Sequence, residues 1–260
     1  MAHSVVAKIF RILILVFFLI QHAWSYFTLK PMRVEFKSNQ KQTTIAITNN
    51  ADVVKFVEVD SYLWTQENEK DIETPNNDFI IFPKTFKLKA GQTKKIQIKP
   101  REEAPDEFEK SYRLLFREIR SDKEMNSGGV RVVVNIKCPL YRKPKNPEYF
   151  QPIDCQLKEN DKQNLIKCIN PNKENILLRD IIYLKEGQED SKSVGLTIQP
   201  GKEKSIPLTG PLELIRDHIL RIKYAFRGEG KEFKFAEGPV KPQEEVREEN
   251  PESNNLKLEE

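Results

Sequence analysis

Residues that do chemistry are scarce in this chain. Of 260 residues, three are histidine (His3, His22 and His218) and three are cysteine (Cys138, Cys155 and Cys168). Histidine is the commonest general acid/base and a frequent metal ligand, and only His218 lies beyond residue 25. The cysteines form neither a CxxC nor a metal-ligand pair, and they are too few for a disulfide-built scaffold. Phosphate-loop, GxGxxG and GxSxG patterns are missing. Carboxylate pairs such as Asp180 and Asp190 mean little in a chain that is 32% charged. We therefore expect no enzyme, no metal and no cofactor. Ten glycines without a period, together with the lack of a long heptad run, exclude collagen and coiled coil. The formal charge of +4 is small beside 43 basic and 39 acidic side chains, and it does not point to nucleic acid.

Long apolar runs are also lacking. The longest, residues 12–20, follows Lys8 and Arg11 and leads into Ala23-Trp24-Ser25. A basic start, a nine-residue apolar stretch and a small-x-small site read as a signal peptide spanning residues 1–25. Nine residues reach only about 14 Å as a helix, against about 30 Å of bilayer core. An uncleaved anchor is the weaker alternative. The exported chain then meets an oxidising compartment.

What is present is enough for a folded core, with 38% hydrophobic residues. Charge and proline divide it. Residues 237–260 hold 8 acidic and 3 basic residues with three prolines, and read as a disordered acidic tail. Without the tail and signal, 38 basic residues face 31 acidic ones, a balance that suits anionic partners. Pro139, Pro144, Pro147 and Pro152 cluster where a linker is expected. The reading is two domains, 26–144 and 145–236. Short β-rich runs fill both: 43–48, 53–60, 79–82, 86–88, 95–99, 112–119 and 130–136, then 165–169, 176–184, 196–198, 204–208 and 220–226. Helical periodicity is weak, with 212–220 the best short candidate. This predicts an all-β chain of two immunoglobulin-like β-sandwiches.

Two local features stand out. Cys155 and Cys168 are 13 residues apart and flank a strand–turn–strand unit, so a cross-strand disulfide is possible, with Cys138 left over. Residues 130–137 read Val-Arg-Val-Val-Val-Asn-Ile-Lys, placing Val130, Val132, Val134 and Ile136 on one parity. An inner strand would show the same pattern. On an exposed edge, the row becomes a device for β-strand addition.

Four stretches, in this order, resemble the periplasmic chaperones of the chaperone–usher pilus pathway. They are Leu29-Lys30-Pro31-Met32-Arg33-Val34-Glu35-Phe36; Phe82-Pro83-Lys84-Thr85-Phe86-Lys87-Leu88-Lys89-Ala90-Gly91-Gln92-Thr93; Glu109-Lys110-Ser111-Tyr112-Arg113-Leu114-Leu115-Phe116-Arg117-Glu118-Ile119; and residues 130–137 followed by Pro139-Leu140-Tyr141-Arg142-Lys143-Pro144. A weaker echo runs through Asn170-Pro171 and residues 198–208, so the likeness spans 26–236. It implies two sandwiches joined at an angle. It also implies a donor strand whose Val130, Val132, Val134 and Ile136 fill the groove of a secreted pilus or fimbrial subunit, which is then handed to an outer-membrane usher. In this family two cleft cations anchor the subunit's terminal carboxylate, and Arg33 and Lys137 match them. Such anchoring would set strand register, because a one-residue slip reverses every side chain.

Some features depart from the family pattern. Cys138-Pro139 is expected to interrupt the strand end, as in the archaic branch. The segment 222–230 lacks the family's Asn-Asp-Tyr-Gly type of ending, so of a possible interdomain bridge only Glu109 and Arg142 are identified. The loop 122–129 is short, limiting the donor row to about four anchors. The competing reading is a secreted two-domain β-sandwich adhesin or surface structural protein, with residues 130–136 buried in an inner strand.

Overall fold

The computed structural model describes residues 26–119, 133–146, 150–158, 164–208, 219–227 and 233–241. The expected signal segment, Val130 and Val132, residues 212–218 of the helix candidate, and the tail beyond 241 lie outside the described residues. Every regular element described is a β-strand, so the fold is all-β, in two sheet-rich domains.

Two sheets enclose the first core. One runs β1 (Phe27–Lys30), β3 (Thr43–Asn49), β8 (Thr93–Pro100), β6 (Phe79–Phe82). The other runs β2 (Val34–Phe36), β10 (Asn135–Arg142), β9 (Lys110–Ile119), β4 (Lys55–Glu67), β5 (Lys70–Pro75), and β7 (Thr85–Leu88) also pairs with β4. Alternation drives this arrangement. Ile45 and Ile47 of β3, Ile96 and Ile98 of β8, Leu114 and Phe116 of β9, and Val57 and Val59 of β4 meet in one buried cluster. Burying each such side chain contributes about 1.5–3 kcal/mol. The polar partners on the other parity keep the outer faces wet.

One strand breaks that rule. In β4 the buried parity is Val57, Val59 and Ser61, but further along Trp64 and Gln66 of the opposite parity are buried instead. They are covered from outside the sandwich, by Tyr141 and Arg113 and by the second domain.

The second domain is a seven-stranded sheet ordered β14 (Gln188–Ile198), β13 (Ile176–Lys185), β16 (Ile219–Arg227), β17 (Phe233–Lys241), β11 (Asp154–Lys158), β12 (Leu165–Ile169), β15 (Glu203–Pro207). Its core gathers Ile166, Ile176, Leu178, Ile181, Ile198, Ile222 and Tyr224. Cys155 and Cys168 sit directly opposite each other on β11 and β12 and are disulfide-bonded. Cys138 remains a buried thiol in the first domain.

Both domains turn the same corner. Asn49 and Asn170 are each fully buried at a strand end. Asn49 Nδ2 donates to the carbonyls of Val53, Leu88 and Lys89, and Asn170 Nδ2 donates to those of Glu174 and Ile198. The Gly91 amide donates to Asn49 O, and the Gly201 amide to Asn170 O. Gly91 and Gly201 have φ of 68° and 64°, a conformation that favours glycine.

Two expectations need amending. The strand β10 runs unbroken through Cys138 and Pro139 to Arg142. Proline is tolerated there because pairing with β2 begins only at Leu140, so Pro139 still lies on an edge. At the other end, β17 continues through Lys241, past residue 236 where the sequence reading ends the second domain.

Candidate functional site

The strand β10 is paired unequally along its two sides. Against β9 it is antiparallel over its whole length, Asn135 opposite Arg117 through Arg142 opposite Lys110. On the other side β2 meets only Leu140, Tyr141 and Arg142. Among the described residues, no strand pairs with that side of β10 from Asn135 to Pro139. An unpaired stretch of backbone donors and acceptors is a template for another strand. Beyond β10, the Val134 carbonyl still accepts from the Glu118 amide at 3.3 Å, which continues the ladder on the β9 side.

The apolar parity of this strand is graded. Leu140 and Cys138 are 0% and 1% exposed, deep in the first core. Ile136 and Val134 are half-buried and lean against the same core. The row thus passes from the protein's own interior toward its surface as the open edge begins. Val130 and Val132, which would extend it, lie outside the described residues. The Cys138 Sγ–H donates to the Met32 carbonyl at 3.2 Å, and burial pushes its thiol up to about 11.

The opposite parity of β10 faces the outer side of the sheet, and cations collect there. Lys137 Nζ reaches Glu73 Oε2 on β5 at 2.6 Å. Since β5 lies three strands from β10 in sheet order, the face between them must curve for these side chains to meet. Arg33 lies just before β2. Its Nε donates to Glu35 Oε1 at 2.7 Å, and its guanidinium sits 4.2 Å from the centre of the Tyr141 ring. Tyr141 and Lys137 share a face, four residues or about 13 Å apart along the strand. Arg33 and Lys137 therefore stand at two ends of one concave surface.

Between them is a stack the sequence reading did not anticipate. The Trp64 and Tyr141 rings meet edge to face at 6.5 Å. The Arg113 guanidinium lies 3.7 Å from the centre of the Trp64 ring. Trp64 and Tyr141 are 3% and 4% exposed, so the two arginines roof an aromatic floor. The available signal was parity: Trp64 is a large aromatic on the wet parity of β4.

Glu109 and Arg142 do not pair with each other here. Arg142 donates to the backbone carbonyls of Glu102 and Glu103. Glu109 is bonded instead to Lys143 and to Asn175 of the second domain, and Lys143 also contacts Glu174. Burial raises the Glu109 carboxyl above its ordinary range, and the Lys143 charge opposes that rise. A second junction forms at the β4–β5 hairpin. Gln66 Oε1 accepts from the Gln199 amide at 3.0 Å, Gln66 Nε2 donates to Thr197 O at 2.8 Å, and Gln199 Nε2 donates to Trp64 O at 2.7 Å. The Glu69 carboxylate accepts from the Ser205 amide and hydroxyl. The hairpin that supplies Trp64 and Glu73 is thereby clasped to the second domain. Among the described residues, no group of His, Cys, Asp and Glu is arranged to hold a metal.

Residues 26–148 match the family model described as "Pili and flagellar-assembly chaperone, PapD N-terminal domain". A search of curated protein sequences found no match. Among solved structures, a chain of the CsuC–CsuE chaperone–tip subunit pre-assembly complex, from the archaic Csu pili of Acinetobacter baumannii, is 16% identical with a TM-score of 0.64. The alignment covers 85% of this chain and all of that one. The E. coli chaperone DraB is 16% identical with a TM-score of 0.56, covering 83% of this chain and 96% of DraB. The Pseudomonas aeruginosa CupB2 chaperone is 10% identical with a TM-score of 0.56, covering 82% of this chain and all of CupB2. At these identities the solved structures establish the fold.

Proposed function

The chain belongs, through residues 26–148, to the PapD-like pilus and fimbrial assembly chaperones, and from that premise we propose that it captures secreted pilus subunits by lending them a strand. It works in the periplasm, without a cofactor, nucleic acid or catalytic step. The observation that carries this reading is the unequal pairing of β10. An open backbone edge from Asn135 to Pro139 coincides with the half-buried Val134 and Ile136 of an alternating apolar row.

The mechanism follows from that geometry. A subunit lacking its own last strand exposes a groove, and β10 supplies both the missing backbone partner and apolar side chains for it. Val134 and Ile136, with Val130 and Val132 upstream, are the inserted anchors. The subunit's terminal carboxylate lies on the outer face, where Arg33 and Lys137 receive it. Both cations already hold carboxylates, so the incoming one joins or displaces Glu35 and Glu73. Charge-assisted bonds of this kind are about twice as strong as neutral ones, and fixing the chain end fixes the register of the added strand. Release is strand exchange at an outer-membrane usher, driven by better packing of subunit against subunit.

Affinity recovery of the tagged protein from the periplasm of its own organism tests this, comparing wild type with Arg33→Glu and Lys137→Glu. Small secreted β proteins should come down with wild type and be lost with both variants. Each change should cost about 2–5 kcal/mol of binding. Equal recovery by all three proteins would overturn the anchor assignment.

A further inference from the structure

We propose that the acidic segment 242–260 docks back onto the outer face of the four-stranded sheet in the first domain, held there by Lys30, Lys95 and Lys99. This contact within one chain goes beyond subunit capture and does not depend on it.

The shape of the face is the first argument. Alternation sends Ile45 and Ile47 of β3, and Ile96 and Ile98 of β8, into the core, so the other parity lies outside. On that side β3 carries only Thr44, Ala46 and Thr48. Ala46 lies opposite Lys30 of β1 on one side and Lys95 of β8 on the other. Short side chains between long ones leave a trough along β3, about 10 Å from strand to strand across it. Lys99 stands four residues beyond Lys95 on the same wall, about 13 Å further along.

Charge gives the second argument. None of the outward residues on these four strands is acidic. Lys30, Lys95 and Lys99 are exposed, and among the described residues their side chains form no ion pair or hydrogen bond. On the outer face of the other sheet, Arg33, Lys84, Arg117 and Lys137 already hold carboxylates. An anionic segment therefore gains more on the four-stranded sheet, where no existing pair has to break.

The third argument is the occupant. Residues 242–260 carry seven glutamates against Arg247 and Lys257. Glu244, Glu248 and Glu252 recur at every fourth position, as do Glu245 and Glu249. In an extended chain, residues four apart point the same way at about 13 Å, the spacing of Lys95 and Lys99. The starting point also fits. Lys241 lies opposite Gln156, two residues into β11, the strand that follows the interdomain linker. The linker end of the first domain is where β8 finishes, because Arg142 at the end of β10 bonds to the carbonyls of Glu102 and Glu103 just past β8. The segment thus meets the trough from the Lys99 end, and its 19 residues span about 60 Å when extended. Docked there it neutralises the face and lies beside Phe82, which is 69% exposed on β6 opposite Gln97. The open edge of β10 belongs to the other sheet and stays free.

The test uses residues 26–260 with a nitroxide attached at Ser253→Cys. Cys138 is buried and Cys155 and Cys168 are bonded to each other, so the label goes to position 253. Amide signals of the isotope-labelled protein are read at low salt and at 1 M salt, where the Debye length is about 3 Å. Amides of residues 44–48 and 93–99 should broaden at low salt and recover at high salt. Lys30→Gln/Lys95→Gln/Lys99→Gln should lose the broadening and keep the wild-type unfolding temperature. A chain with Glu244, Glu245, Glu248, Glu249 and Glu252 each changed to Gln should lose it too. Broadening that persists in either variant, or that centres on the Lys137 face or the second domain, would overturn the proposal. So would broadening seen only when a spin-labelled copy is mixed with an isotope-labelled one, since the contact would then join two molecules. Absence of broadening in wild type would overturn it as well, and a shift of the same amides by vesicles of anionic phospholipid would then assign the face to a membrane.

Discussion

Lys137 and Glu73 close an ion pair across the concave outer face of the first domain, with Nζ 2.6 Å from Oε2. Lys137 is the more exposed partner, with its side chain 55% accessible, so the pair is a surface one. Exposed pairs of this kind contribute about 0.2–1 kcal/mol. Under the proposed anchoring its consequence is functional, because Glu73 would compete with an incoming carboxylate for the same ammonium. Glu73→Gln should leave the unfolding temperature within error and strengthen subunit capture by about two- to fivefold. Titration of the variant and wild type against a recovered subunit checks this, and weaker capture by Glu73→Gln would contradict it.

The Gln66–Gln199 clasp should set how firmly the two domains hold their angle. Gln66→Leu keeps the volume but leaves the Gln199 amide and the Thr197 carbonyl unpaired at the junction. The expected cost is about 1–3 kcal/mol per unsatisfied buried group. Urea unfolding should show the loss, and small-angle scattering should show a broader distribution of shapes. Unchanged stability and scattering would mean the clasp holds nothing.

For the second domain the decisive bond is Cys155–Cys168. It closes a loop of 13 residues, for which chain-entropy reasoning gives about 3 kcal/mol. Alanine is the right replacement, since both positions are 1% exposed or less and a serine pair would bury hydroxyls. Cys155→Ala/Cys168→Ala should unfold at a lower temperature. Hydrogen exchange should rise across β11 and β12 while the first-domain core stays protected. Equal unfolding temperatures would show that the bond is dispensable.

The sequence made much of this legible wherever side chains alternate cleanly. Residues 79–82 and 165–169 form strands with the boundaries expected, and the runs at 43–48, 112–119 and 176–184 are off by one or two residues. Polar strands were harder to see. β5 reads Lys-Asp-Ile-Glu-Thr-Pro, and most of β14 reads Gln-Glu-Asp-Ser-Lys-Ser. β5 carries no apolar row and β14 has one only from Val194 onward, and each lies at the edge of its sheet. Missing β5 also hid Glu73, and with it the partner of Lys137. Trp64, Tyr141 and Arg113 are 77 residues apart at the extremes and meet only through strand pairing, so no local pattern announces their stack. The edge of β10 is the clearest limit. Alternation identifies a strand with one apolar face, but only sheet order shows which strand lacks a neighbour.

Amide hydrogen exchange across residues 133–138, in the free protein and in its complex with a recovered subunit, bears most directly on strand donation. If β10 lends its open edge, amides on that side should exchange readily in the free protein and slow by about tenfold or more once the subunit's strand is added. Arg33 and Lys137 variants should show no such slowing at the subunit concentration that protects wild type. Exchange at 133–138 that is identical in free and bound protein, with protection appearing on another surface, would contradict the account.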